Sequence, residues 1–242
     1  MQGYIEFDEG TSRGVFSQRR ILGGTFLTLR LGCGGIFAGR RAARAARQMR
    51  EQGVRTAVFP LDFPLTTVFE RQGITPVDPL PLRRAVSAVL VRRQLEKLGC
   101  DPAQAVVAVV GDYLTREMEQ TVKTLALHYR YVMLSASSGA EELARSLRRE
   151  YGISLLLRPS RDQLERADAL LLFVPRPDLH GENAVLCALY PGGEVGRGRV
   201  AVRLSDEAAA VLPSNCCQEQ FAAALHSMGA ASEQILNGEI FC

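Results

Sequence analysis

The sequence predicts an α/β protein. We expect a Rossmann-like three-layer sandwich with a mostly parallel sheet, plus an N-terminal α/β part that contains a β-hairpin. Three observations predict it. Between residues 105 and 174, four short and almost wholly apolar segments alternate with helix-patterned ones, which is how parallel strands buried on both faces read. Between residues 25 and 52, a strand-like segment passes through a glycine turn into an alanine-rich helix. The composition, 47% hydrophobic and 23% charged over 242 residues, is that of a globular chain. A chain of this length buries a core without a disulfide or metal staple.

Residues 4–7 and 15–17 flank the turn-rich stretch Asp8-Glu9-Gly10-Thr11-Ser12 and are expected to form the hairpin. Residues 25–31 alternate like a strand, and Gly32-Cys33-Gly34-Gly35 ends it. Over 36–52 the residues Ala38, Ala42, Ala45, Ala46 and Met49 recur at helical steps, and Gly53 stands where a helix stops. A strand at 54–59 and a short helix at 65–72 follow. Three prolines within 75–81 mark a linker. A helix over 82–98 turns Leu82, Val86, Val89, Leu90 and Leu95 inward and most of its arginines, Arg83 included, outward. The expected division is therefore 1–80 as an N-terminal α/β part, 81–100 as a bridging helix, and 101–242 as the Rossmann-like domain.

In that last part, strands are expected at 105–110, 131–134, 153–157 and 169–174, with helices at 115–128, 140–150 and 161–166 between them. Ser138-Gly139-Ala140-Glu141 and Ser160-Arg161-Asp162-Gln163 both have capping-box spacing. Residues 184–190 and 199–204 alternate around Pro191-Gly192-Gly193, as a hairpin or an edge addition would. Helices at 205–212 and 215–228 and a last turn at 232–236 complete the reading.

The net charge of +3 is too small to imply a polyanion partner by itself. Of 29 basic residues only Lys97 and Lys123 are lysines. Residues 1–10 do not read as a secretory leader, and no apolar run approaches the ~20 residues of a membrane helix. A cytoplasmic location with no membrane role is expected. The six cysteines form no CxxC pair and the three histidines are scattered, so no metal site is expected. The adjacent Cys216 and Cys217 suit reduced thiols.

Four groupings are candidates for chemistry. Gly32, Gly34 and Gly35 lie between a strand and a helix, where glycines bring the backbone close to a pyrophosphate. The spacing is GxGG rather than GxGxxG, with Phe37 at the third glycine's place, and Asp62 lies farther on than the usual ~20 residues. Given that spacing, a tight turn in which glycine supplies a positive φ explains these glycines better. Cys33 reads first as a small turn residue; at a helix N-terminus it is also the one cysteine whose thiolate would be favoured. Second, Asp112 leaves the end of the first regular strand, but Glu117 and Glu119 in the following helix would repel phosphate. Third, Ser135, Ser137, Arg158, Arg176 and His180 occupy the loops at the other strand ends, where guanidiniums and hydroxyls would hold an anion; Arg145 with Ser137 would suit a ribose phosphate. Fourth, Arg40, Arg41, Arg44, Arg47 and Arg50 form a basic helix face able to track a phosphate backbone. The low net charge and the lack of Trp argue against nucleic acid as a partner.

No GxSxG, P-loop or HExxH motif is present. These residues imply a non-catalytic or degenerate Rossmann-like module for a small anionic ligand or a protein partner, with no cofactor favoured. The alternatives are a dinucleotide-dependent enzyme using the Gly32–Gly35 turn and a nucleic-acid binder using residues 40–50.

Overall fold

A computed structural model describes residues 1–10, 13–193, 198–231 and 235–241. The chain divides into two compact units, Met1–Pro79 with Val202–Asn237, and Leu80–Ala201 with Gly238–Cys242. Boundaries at 80 and 100 do not anticipate two features of this division. The segment from Val202 returns to the first unit, and the helix read as a bridge belongs to the second.

The first unit contains β1 (Gln2–Asp8), β2 (Val15–Ile21), β3 (Gly24–Gly32), α1 (Ala38–Glu51), β4 (Thr56–Val58), α2 (Thr66–Arg71) and β5 (Thr75–Pro76). The sheet order is β2-β3-β1-β4-β5. β1 lies between β3 and β4 and is parallel to both, while β2 alone runs antiparallel, against β3. The hairpin expected between residues 4–7 and 15–17 is therefore not formed; the hairpin is β2–β3. Its turn is Leu22–Gly23, with φ of 47° and 85°, the two positive values that a two-residue turn of the I′ type requires. Burial explains the exchange. Tyr4 and Ile5 of β1 are buried and belong in mid-sheet, whereas Ser17-Gln18-Arg19-Arg20 of β2 is exposed and suits an edge. Residues 75–81 are not a free linker either, because β5 pairs with β4 and the next helix starts at Leu80.

On one face of this sheet α1 lays Ala42, Ala45, Ala46 and Met49 over Ile5, Leu27, Leu29 and Leu31. Small alanines let the helix approach closely. On the other face Tyr4 and Phe26 meet Phe221 of α8 (Gln218–Ser227), with the Phe26 and Phe221 rings stacked at 4.9 Å. The short α7 (Asp206–Ala209) precedes α8.

The second unit contains α3 (Leu80–Lys97), β6 (Val106–Val110), α4 (Arg116–Ala126), β7 (Tyr131–Ser135), α5 (Ala140–Tyr151), β8 (Leu156–Leu157), α6 (Arg161–Glu165), β9 (Ala169–Leu172) and β10 (Val185–Ala188). Its five strands are all parallel, in the order β10-β9-β6-β7-β8. The chain winds outward from β6 to β8, then crosses back to β9 and β10. This is the Rossmann-like arrangement, and its topological switch point lies between β6 and β9. Leu164 of α6 packs with Ala108, Val110, Met133, Leu170 and Leu172 on one face; α3 and α4 pack on the other.

Two expectations fail here. Of the two arrangements expected for residues 184–190 and 199–204, the antiparallel hairpin is not formed; β10 is instead an edge addition, parallel to β9, and β11 (Arg199–Leu204) pairs with β12 (Leu236–Phe241). Of the last turn expected at 232–236, residues 232–234 lie outside the described residues, Ile235 is in a turn, and Leu236 begins a strand. Arg83 is buried, only 3% exposed, rather than outward. Of the two capping boxes, that of Ser160 and Gln163 forms in full. The other does not: Gly139 takes the N-cap position in a left-handed conformation, and the Ser138 carbonyl accepts instead from Leu114 N–H at 3.2 Å.

Candidate functional site

In a doubly wound sheet the ligand crevice opens where strand order reverses, beyond the carboxyl ends of the strands. Here that place lies beyond Val110 of β6 and Leu172 of β9. Gly111-Asp112-Tyr113-Leu114 leaves β6 and Phe173-Val174-Pro175-Arg176 leaves β9. The β6 loop is tied to the β7 loop: Gly111 N–H donates to Ser135 O at 2.9 Å, and Ser137 N–H and hydroxyl both donate to Asp112 O. Asp112 and Tyr113 are exposed.

The loop leaves no bare cradle for a phosphate. A Cβ added at Gly111 would meet Met118 Sδ at 2.7 Å, so the one glycine here accommodates the chain's own methionine. Leu114 packs against Gly139 in the same way, with its Cβ 2.9 Å from where a Cβ would stand. Thr115 caps α4 by accepting from Met118 N–H at 3.2 Å, and Glu117 and Glu119 fill the first turn. An anion brought to this helix end would meet two carboxylates. The acids are legible in the sequence, whereas the part played by Met118 and Leu114 is not among its expectations. A signal was present: counting from Gly111 as first glycine, Tyr113 and Arg116 stand at the second and third glycine positions.

The guanidiniums of the third grouping do not converge. Arg158 follows β8 and Arg176 follows β9, three strand positions apart, or about 14 Å at the usual strand spacing. Each already holds a carboxylate. Arg158 pairs with Glu141. Arg176 grips Asp178 through two bonds of 2.8 and 2.7 Å, which hold the Asp178 carboxyl down at about 2. His180 Nδ1 lies 2.8 Å from Glu165 and 3.0 Å from Arg161, and hydrogen bonds from His180 first and Arg161 second lower the Glu165 carboxyl below its ordinary value. Of the candidate residues in the second unit, Asp112, Ser135 and Arg176 stand at or beyond the carboxyl ends of β6, β7 and β9, the strands at or next to the switch point.

Gly32, Gly34 and Gly35 belong to the first unit. Their turn packs against the end of β1: Cys33 N–H donates to Asp8 O at 2.8 Å and Gly34 N–H to Gly10 O at 2.9 Å. A Cβ at Gly34 would sit 2.1 Å from Glu9 O, so glycine is required there for close backbone approach. The carbonyls of Gly32 and Gly34 both accept from Arg41 Nη2. The turn thus positions an arginine, with the N–H groups of Cys33 and Gly34 already bonded to backbone. Burial, aided by Asp8, raises the Cys33 thiol above its ordinary value, against the thiolate expected at a helix N-terminus. Among the described residues no cluster of three or more His, Cys, Asp or Glu side chains could hold a metal ion, and no helix is long and apolar enough to cross a membrane.

Comparison of the sequence with protein-family models and with curated proteins finds no match. Among solved structures, the chain is similar to L-tryptophan dehydrogenase from Nostoc punctiforme (TM-score 0.40, 10% identity, covering 88% of this chain and 65% of that one). It is similar to shikimate 5-dehydrogenase from Listeria monocytogenes (TM-score 0.34, 10% identity, 85% and 81% covered). It is also similar to aspartate transcarbamoylase from Trypanosoma cruzi (TM-score 0.34, 11% identity, 95% and 81% covered). This chain spans 65% of the length of the tryptophan dehydrogenase.

Proposed function

We propose that this chain is a non-catalytic, Rossmann-like binding module for a small anion or a protein partner, and that it does not work as a dinucleotide-dependent enzyme. One observation carries the reading. The place beneath the first loop of the parallel sheet, which a dinucleotide-binding domain keeps open with glycines, is taken by Met118 and Leu114 and edged by Glu117 and Glu119. The Gly32–Gly35 turn supports the same reading, since two of its N–H groups are bonded to the Asp8 and Gly10 carbonyls. In this reading Asp112, Ser135 and Arg176 form a rim that meets a partner, while Arg158 serves α5 through Glu141. A cytoplasmic location belongs to the reading too; the free thiols of Cys33, Cys100, Cys216 and Cys217 suit a reducing compartment.

A ligand that binds only the folded state raises the melting temperature by mass action. Thermal denaturation with NAD(H), NADP(H) or S-adenosylmethionine at about 1 mM should therefore leave the transition unmoved. Stabilisation by several degrees with any of them would overturn the proposal.

A further inference from the structure

We infer that the first unit carries a site for a compact, multiply charged oxyanion, held by Arg13, Arg41 and Arg44 in a cavity beside α1. The cavity measures about 250 Å³. Among the described residues, three guanidiniums and no carboxylate line it; Gln48 adds an amide, and Phe16 and Ala45 contribute an apolar wall. Arg41 and Arg44 stand one turn apart on α1, and Arg13 comes from the segment ahead of β2. The fold thus collects cations from separate stretches of chain around one space.

The other arginines of this helix have occupations. Arg47 Nε donates to Gln72 at 3.1 Å, Arg50 donates to Gly73 O at 3.2 Å, and Arg40 lies over the Phe37 ring. Arg13 and Arg44 are exposed and form no ion pair with any described residue. Arg41 is half-buried. Its Nη2 is anchored by the Gly32 and Gly34 carbonyls, while its Nε is buried with no hydrogen-bond acceptor. An incompletely bonded guanidinium beside two further cations is an unfavourable arrangement that an oxyanion relieves. Phosphate and carboxylate groups match the planar guanidinium fork and take charge-assisted bonds from it. The small, walled volume fits a compact anion better than a nucleic-acid backbone, which needs an extended track of cations.

The inference rests on the reading of the chain as a binding module and supplies its site and ligand class. The test is calorimetric titration of the full chain with inorganic pyrophosphate and with citrate, at ionic strength fixed with sodium chloride. Saturable binding of one anion per chain is expected. Arg13→Ala and Arg44→Ala should each weaken it at least about tenfold while leaving the circular dichroism spectrum and urea midpoint unchanged. Arg93→Ala, an exposed arginine on α3, should bind as the unaltered chain does. Absence of saturable binding, or binding that survives Arg13→Ala and Arg44→Ala combined in one chain, would overturn the site. So would tighter binding of a single-stranded RNA that Arg40→Ala and Arg47→Ala weaken as much as Arg44→Ala does. Dinucleotide binding that Arg44→Ala leaves untouched would sink the reading of the chain as a module that takes no dinucleotide, whatever pyrophosphate does.

Discussion

Arg41 and Gly34 form one device. The glycine turn folds tightly onto Glu9 and Gly10, and its carbonyls fix the guanidinium. Gly34→Ala therefore acts on folding: its Cβ meets a backbone oxygen that cannot step aside, and overpacking of this kind costs about 1–3 kcal/mol. A urea midpoint lowered accordingly is the expected result. An unchanged midpoint would mean that the turn is looser than described. Gly111→Ala should be milder, because its new methyl meets the flexible end of Met118. Asp178 gives a pH prediction. Arg176 holds its folded-state value at about 2, below the ~3.9 of an unfolded chain. The pair's contribution is thus complete above ~4 and is lost as pH falls through the folded value. Carbon NMR of the carboxyl should follow this titration, and Arg176→Ala should return Asp178 to the ordinary range.

Among the elements, the parallel unit was the most legible in the sequence. Val106–Val110 and Ala169–Leu172 are continuous apolar runs, and few structures other than central parallel strands bury a strand on both faces. The Ser160 cap was legible for a local reason, because its box needs only residues three apart. Ser160→Ala should lower stability by about 1 kcal/mol, read as a shifted urea midpoint; no shift would show that α6 is held by Leu164 packing alone. Strand partners were not legible. Adjacency in sequence made residues 4–7 and 15–17 look like a hairpin, but pairing is decided by which strand carries Tyr4 and Ile5 into the core. Leu22-Gly23 lacks the Asn-Gly signature that would have revealed the actual turn. Arg83 followed the helical periodicity of its neighbours on paper, yet its side chain is buried. The candidate site was half legible: the acids on α4 were visible in the sequence, whereas the contacts of Met118 and Leu114 depend on how α4 and the Gly139 loop pack.

For the whole molecule, the return of the C-terminal segment to the first unit is the largest departure from a linear reading of domains. Phe221 belongs to the same aromatic group as Tyr4 and Phe26, which lie some two hundred residues earlier in the sequence. Phe221→Ala should cost about 3–5 kcal/mol, and hydrogen exchange should show the loss in β1 and β3 protection. Protection unchanged in those strands would contradict the packing. The central claim concerns the other unit: the first loop of its parallel sheet is filled by the chain itself and does not cradle a dinucleotide. Amide NMR of the full chain during titration with NAD+ tests this most directly. The Gly111, Asp112, Thr115 and Met118 resonances should stay in place up to millimolar ligand. Saturable shifts confined to those amides would contradict the account.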